Sequence, residues 1–171
     1  MRNSPADDAL FMFKLIALFL IATQAMFDQP NLPEIIAKPI PLFEQNLERD
    51  YLAPVSEYAG GHRGVDLRID SGSELLSPVD GIINFADEVV DRGVVTVSGH
   101  DGKKYSFEPA CTEKSMGSSV KKGEAFANHC EPSASYQYHC ESCVHFSVRS
   151  EYGYLSPLYL LGKLRLSKLL T

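Results

Sequence analysis

Two short stretches of this 171-residue chain carry side chains that could bind a metal ion. His62 and Asp66 lie four positions apart, where a glycine-rich turn leads into an alternating apolar and polar segment typical of a β-strand. Later in the chain, Cys143 and His145 share one face of a second predicted strand. Imidazole, carboxylate and thiolate groups are the ligands that proteins offer to zinc. The pattern therefore predicts that the two segments meet around a zinc ion.

Short strands must position these residues. The chain contains 12 glycines and 10 prolines, spread along its length at turns, which favours many short strands over long helices. β-Forming runs occupy 81–86, 94–98 and 103–108, and Asp101-Gly102 predicts a hairpin turn before the last of them. A single helical turn is expected near Pro157. The expected fold class is an all-β, antiparallel, sheet-rich single domain.

Composition and charge limit the class of function. The chain is 44% hydrophobic and 22% charged, which is ordinary for a protein with a buried core. Its net charge of -6 argues against general nucleic-acid binding, because neutralising phosphates requires a basic surface. We therefore expect no nucleic-acid partner.

The N-terminal residues 1–28 predict a signal peptide or a membrane anchor. Their apolar run at 15–22 is short for a bilayer span and is typical of the core of a secretory signal. Either alternative predicts a secreted or cell-surface protein that contacts the membrane only through this segment. Residues 29–42 predict a proline-rich linker, residues 43–162 the domain, and residues 163–171 a basic tail.

The four cysteines predict disulfides, because their number is even and the chain is expected to be exported. Pairing cysteines that are near in sequence joins Cys111 to Cys130 and Cys140 to Cys143. The rival pairing joins Cys130 to Cys140 and leaves Cys143 free. A free Cys143 thiolate could become a fourth zinc ligand, which would close the site and make it structural. The oxidation state of Cys143 therefore distinguishes an open zinc site from a closed one.

Six motifs in this chain occur in an order that resembles the LytM/lysostaphin-type zinc metallopeptidases of the bacterial cell wall. The motifs are GHRGVDL (61–67), PVDGII (78–83), GVVTV (93–97), VKKG (120–123), VHFSVR (144–149) and LSPL (155–158). The resemblance covers roughly residues 40–162. It implies an antiparallel, sheet-rich fold (a duplicated hybrid motif) with long loops and a groove over the sheet. It also implies hydrolysis of peptide bonds in peptidoglycan.

The same resemblance implies a ligand set for the metal. The first motif would supply His62 and Asp66, and the later motif would supply His145. Three protein ligands leave a fourth position for water, as in catalytic zinc sites. Zinc in such a site lowers the pKa of its water to about 7 and polarises the scissile carbonyl.

Two histidines that handle protons in this family are missing here. Cys143 stands in place of one, and the place of the other falls on Phe107, Glu108 or Pro109. Acid–base assistance typically accelerates such reactions 10²–10⁴-fold, so hydrolysis without these histidines should be slower. Glu108 and His139 are the candidates to replace them.

Two functions follow from these observations. The first is an exported zinc metalloendopeptidase that acts on peptidoglycan peptides. The alternative is a catalytically degenerate domain of the same fold, which binds peptidoglycan or activates a cell-wall hydrolase.

Overall fold

The computed structural model describes residues 36–56, 58–131 and 142–163, and this part of the chain is built almost entirely from strands. The predicted signal peptide or anchor lies outside the described residues, as do residues 164–171 of the predicted tail. The elements are β1 (Leu47–Arg49), β2 (Gly64–Arg68), β3 (Glu74–Leu76), β4 (Gly81–Val89), β5 (Arg92–Gly99), β6 (Lys104–Glu108), β7 (Ser119–Val120), β8 (Ala125–Asn128), β9 (Cys143–Ser150), β10 (Gly153–Leu155) and α1 (Pro157–Leu160). The predicted all-β fold class is confirmed.

Eight of the described strands form one antiparallel sheet. Its order is β1-β2-β9-β6-β5-β4-β7, and β10 pairs with the end of β9. Strands β3 and β8 form a separate two-stranded sheet. Strand β9 therefore lies between β2 and β6, which brings the two segments with predicted metal ligands side by side.

The central strands divide an apolar face from a polar face, because successive side chains point to opposite sides of a sheet. On β9, Val144, Phe146 and Val148 are fully buried in the core. The Phe146 ring stacks on Phe107 of β6 with 4.7 Å between ring centroids. The intervening residues of β9, which include His145, lie on the polar face.

The segment before β1 is packed into the domain. Ile36, Ile40 and Phe43 are buried in the core. The Ile36 amide donates a hydrogen bond to the Leu160 carbonyl at 3.3 Å, and the Ala37 amide donates to the Pro78 carbonyl at 2.7 Å. Residues 36–42 belong to the segment predicted as linker, and in the structure Ile36 and Ile40 of this segment lie in the core. No helix in the described ranges is long and apolar enough to cross a membrane.

A disulfide joins Cys111 to Cys130, as in the first of the two predicted pairings. Their Cα atoms are 5.8 Å apart, and the bond closes a loop with a sequence separation of 19 residues. Backbone hydrogen bonds between Cys111 and Asn128, at 2.8 and 2.9 Å, hold the same two segments together. The bond therefore ties the chain after β6 to the end of β8.

Replacing Cys111 and Cys130 together by alanine should lower the free energy of unfolding by about 3 kcal/mol. Without the cross-link, a loop of this length gains conformational entropy in the unfolded chain, which stabilises the unfolded state. Urea unfolding of the oxidised protein measures this difference. A control that replaces Glu113 and Ser115 of the same loop by alanine should stay within about 0.5 kcal/mol of the wild type. Equal stability of the cysteine variant and this control would contradict the prediction.

Candidate metal centre

Three potential ligand atoms converge on the polar face of the sheet. Asp66 Oδ1 lies 3.0 Å from His62 Nε2 and 2.7 Å from His145 Nδ1. The two imidazole nitrogens are 3.2 Å apart. His62 and Asp66 are only 3% and 1% exposed, so the cluster is shielded from solvent. Among the described residues, these three side chains form one group whose ligand atoms are close enough together to share a metal ion.

Strand register brings Asp66 and His145 together. They are direct cross-strand partners in the antiparallel pair of β2 and β9. His62 precedes β2 and is held by a two-bond bridge to Leu52, with N–O distances of 2.8 and 2.9 Å. Two of the predicted ligands therefore lie on paired strands, and the third lies in a turn that is hydrogen-bonded to Leu52.

The His62 imidazole is held in a defined orientation. Its Nδ1–H donates a hydrogen bond to the Asp50 carbonyl at 2.7 Å. A carbonyl only accepts, so the proton is on Nδ1 and the lone pair of Nε2 faces Asp66 and His145. Histidines that bind metals are typically held in this way by a backbone carbonyl or a carboxylate.

Two features of this site were not predicted from the sequence. The first is the contact of residues 50–52 with His62, for which the sequence carries no signal. The second is the role of Gly64, where a Cβ would lie 2.6 Å from His145 Nε2 and would also collide with the Phe146 carbonyl. A glycine between His62 and Asp66 was visible in the sequence, and it could have suggested a close approach of another chain segment.

Glu108 lies beside the cluster. It is the direct cross-strand partner of His145 in the pair of β6 and β9, so its side chain is on the same face. Its Oε2 accepts a hydrogen bond from Arg92 Nε at 2.9 Å. Phe107 is fully buried on the opposite face, and Pro109 is buried as well. Of the three positions that the resemblance assigned to a histidine of the family, Glu108 is the direct cross-strand partner of His145.

Cys143 is disulfide-bonded, and its side chain is buried. An oxidised sulfur is not a thiolate, so this state is incompatible with the alternative in which a free Cys143 binds zinc. Cys140, its predicted partner, and His139, the second predicted replacement for a catalytic histidine, lie outside the described residues.

His129 should make stability depend on pH. Burial lowers the pKa of its imidazole, an effect only partly offset by the Cys143 backbone and the charge of Glu131. Unfolded histidine titrates near pH 6.5. Below that pH the unfolded chain binds a proton at His129, whereas the buried imidazole of the folded chain stays neutral. The contribution of His129 to the free energy of unfolding is therefore present above about pH 6.5 and falls as the pH drops.

The contribution of His129 to this slope is at most about 1.4 kcal/mol per pH unit. Urea unfolding between pH 7.5 and 5 should show a shallower pH dependence for His129→Leu than for the wild type. His100 lies exposed in the turn between β5 and β6, and His100→Leu serves as the control with an unchanged slope. Identical slopes for His129→Leu and the wild type would refute this assignment.

Sequence comparison does not place this chain in a known family. No protein-family model matches it. A search of curated proteins also finds no match.

Solved structures with the same fold include peptidases. The catalytic domain of lysostaphin from Staphylococcus simulans matches with a TM-score of 0.56 and 18% identity, covering 70% of this chain and 94% of that domain. A zinc-containing peptidase from Vibrio cholerae matches with a TM-score of 0.55 and 15% identity, covering 66% of this chain. The match spans about a third of that peptidase, 35% of its length.

The pore-forming complex of SpoIIQ and SpoIIIAH also contains a similar chain. It matches with a TM-score of 0.61 and 17% identity, covering 75% of this chain and 91% of the matched chain. At identities this low, the structural matches show a shared fold alone. The described domain is therefore a divergent domain of the LytM/lysostaphin-type peptidase fold.

Proposed function

We propose that this chain is a zinc-dependent endopeptidase that acts on peptidoglycan peptides outside the cytoplasm. The observation that carries the proposal is the convergence of His62, Asp66 and His145 at a site without a thiolate ligand. Two imidazoles and one carboxylate make a three-residue donor set, the number that catalytic zinc sites use. The donor atoms and their hydrogen-bonded orientation fit zinc.

A zinc ion held by these residues would supply the Lewis acidity that activates water and polarises a peptide carbonyl. The chain's own contribution begins with the Asp50 carbonyl, which fixes the tautomer of His62. The opposed strands β2 and β9 fix Asp66 against His145. The burial of Asp66 keeps bulk water from competing for its carboxylate.

Glu108 is the proposed proton carrier. It takes a proton from the attacking water as the new C–O bond forms, and it delivers that proton to the amine nitrogen as the C–N bond breaks. Arg92 Nε, at 2.9 Å from Glu108 Oε2, orients the carboxylate. This arrangement would replace the lost histidine of β6 by a carboxylate from the same strand.

The full exported chain, purified under oxidising conditions, tests the proposal through its zinc content and its action on purified peptidoglycan. We expect one zinc per chain and new peptide ends in the digest, identified by mass spectrometry. Glu108→Gln should keep its zinc and lose about 10²–10⁴-fold in hydrolysis, the usual effect of removing acid–base assistance. The matched control is Glu88→Gln, an exposed carboxylate near the end of β4. A chain that binds no zinc would refute the proposal.

A second candidate is a non-catalytic wall-binding or hydrolase-activating domain. Two observations favour it: a disulfide occupies Cys143, where the family has a histidine, and Glu108 is ion-paired to Arg92. The fold neighbours also include the complex of SpoIIQ with SpoIIIAH, in which a chain of this fold binds a protein partner. Cosedimentation with peptidoglycan, without any released peptide at stoichiometric zinc, would favour this candidate over the endopeptidase.

A further inference from the structure

We propose that the polar face of the sheet carries, beside the metal centre, a binding site for a carboxylate of an extended peptide. This inference rests on the proposed function, because it names a feature of the peptide whose bond would lie at the metal centre. The site consists of Arg149, Lys104 and Tyr154, and we call it the cationic row.

Strand register produces three rows of cross-strand neighbours on the polar face of the sheet. The rows, in order from the metal centre, are Asp66-His145-Glu108, then Gly64-Ser147-Ser106-Thr96, then Tyr154-Arg149-Lys104-Ser98. Each row lies two residues from the previous one, so all three share one face. The polar face of the sheet therefore changes from candidate metal ligands to hydroxyl groups to cations.

A cavity of about 290 Å³ lies over the second and third rows. Its lining includes Ser106 and Ser147 in the middle, and Lys104 and Arg149 at the end. The described lining contains no acidic side chain. The hydroxyl groups can bond to a peptide backbone, and the cations leave the far end of the cavity positively charged.

The cations of this row have no partner carboxylate in the described part of the chain. Arg149 and Lys104 are direct cross-strand partners, and neither forms an ion pair there. By contrast, Arg68 and Arg92 are paired with carboxylates. Two like charges side by side repel each other, and an anionic ligand would relieve that repulsion.

Tyr154 gives the Arg149 guanidinium a fixed neighbour. The Arg149 Cζ atom lies 5.6 Å from the centroid of the Tyr154 ring, and Arg63 Cζ lies 5.9 Å from the same centroid. The Tyr154 carbonyl accepts a hydrogen bond from the Tyr51 hydroxyl at 3.1 Å. A guanidinium restrained by stacking loses less entropy when it binds a carboxylate through two hydrogen bonds.

The spacing of the rows predicts where the carboxylate lies in the peptide. Arg149 is four residues from His145 on β9, which corresponds to about 13 Å along a strand. An extended ligand has nearly the same rise per residue. The carboxylate should therefore be about four residues from the bond held at the metal centre.

Amide NMR titration of the full, zinc-loaded chain tests this site. The probes are acetylated pentapeptide amides of alanine with glutamate at the first or the fifth position, each compared with its glutamine counterpart. We expect one glutamate peptide to bind about tenfold more tightly than its glutamine counterpart, as for a charge-assisted hydrogen bond. Arg149→Gln and Lys104→Gln should each reduce this preference, whereas Lys121→Gln, an exposed cation on the β7–β8 turn, should keep it.

The outcomes separate this site from the proposed endopeptidase. Equal binding of glutamate and glutamine peptides, or no binding of either, overturns the carboxylate site even if the chain cuts peptidoglycan. A glutamate preference that survives both substitutions in the cationic row overturns it as well. A preference lost in both variants supports the site. If the chain then cuts no peptidoglycan, the endopeptidase proposal fails while the carboxylate site stands.

Discussion

Replacing His145 by alanine should abolish stoichiometric zinc binding and, with it, any peptidoglycan hydrolysis. The variant loses the Nδ1 atom that lies 2.7 Å from Asp66 Oδ1 and 3.2 Å from His62 Nε2. Only two of the three donors then remain. Changing a residue that merely supports a metal ligand typically weakens binding about 10–100-fold, so losing a ligand itself should exceed about 10²-fold. Competition with a chromogenic chelator measures the affinity.

The matched control for this prediction is His100→Ala. His100 is exposed in the turn between β5 and β6 and belongs to no metal cluster among the described residues. It should bind zinc as the wild type does, which separates loss of a ligand from general loss of a histidine. Wild-type zinc affinity in His145→Ala would place the metal elsewhere and overturn the assignment of all three ligands.

Replacing Gly64 by alanine should damage both the fold and the metal centre. A Cβ at this position collides with the backbone carbonyl of Phe146 and lies 2.6 Å from His145 Nε2. The carbonyl belongs to the neighbouring strand β9 and moves only with it. We expect the free energy of unfolding to fall by about 1–3 kcal/mol, as for other overpacked sites. Displacing the His145 ring should also weaken zinc binding about 10–100-fold.

Gly60→Ala is the control for Gly64→Ala. Gly60 precedes the same motif, and a Cβ there meets no atom within 4 Å. Urea unfolding and chelator competition on the two variants compare the same chemical change in open and closed surroundings. Wild-type stability and zinc affinity in Gly64→Ala would contradict the close packing of β2 against β9 at this point.

The carboxylate site and the metal centre make separable demands on the protein. Both depend on strand β9, but His145 and Arg149 are four residues apart on it. Arg149→Gln should therefore alter peptide preference without altering zinc affinity. His145→Ala should weaken zinc binding without altering the preference for glutamate over glutamine peptides. Together the two variants show whether recognition and chemistry are carried by different rows of one sheet.

The sequence determined the local features of this protein. Alternation of apolar and polar residues assigned His145 and Asp66 to strand faces, since a strand has a side-chain period of two. Asp101-Gly102 predicted the turn between β5 and β6, and Pro157 predicted the short helix α1. The ordered motifs also indicated the fold class, which the strand-rich structure confirms.

Only the tertiary structure decided which residues become neighbours. The period of two assigns a side chain to a face, but it does not say which strand lies beside it or in which register. The place of β9 between β2 and β6 aligns Asp66, His145 and Glu108 in one row, and it leaves Phe107 in the core. The contact of Asp50 with His62 depends in the same way on long-range pairing, which no local pattern in the sequence records.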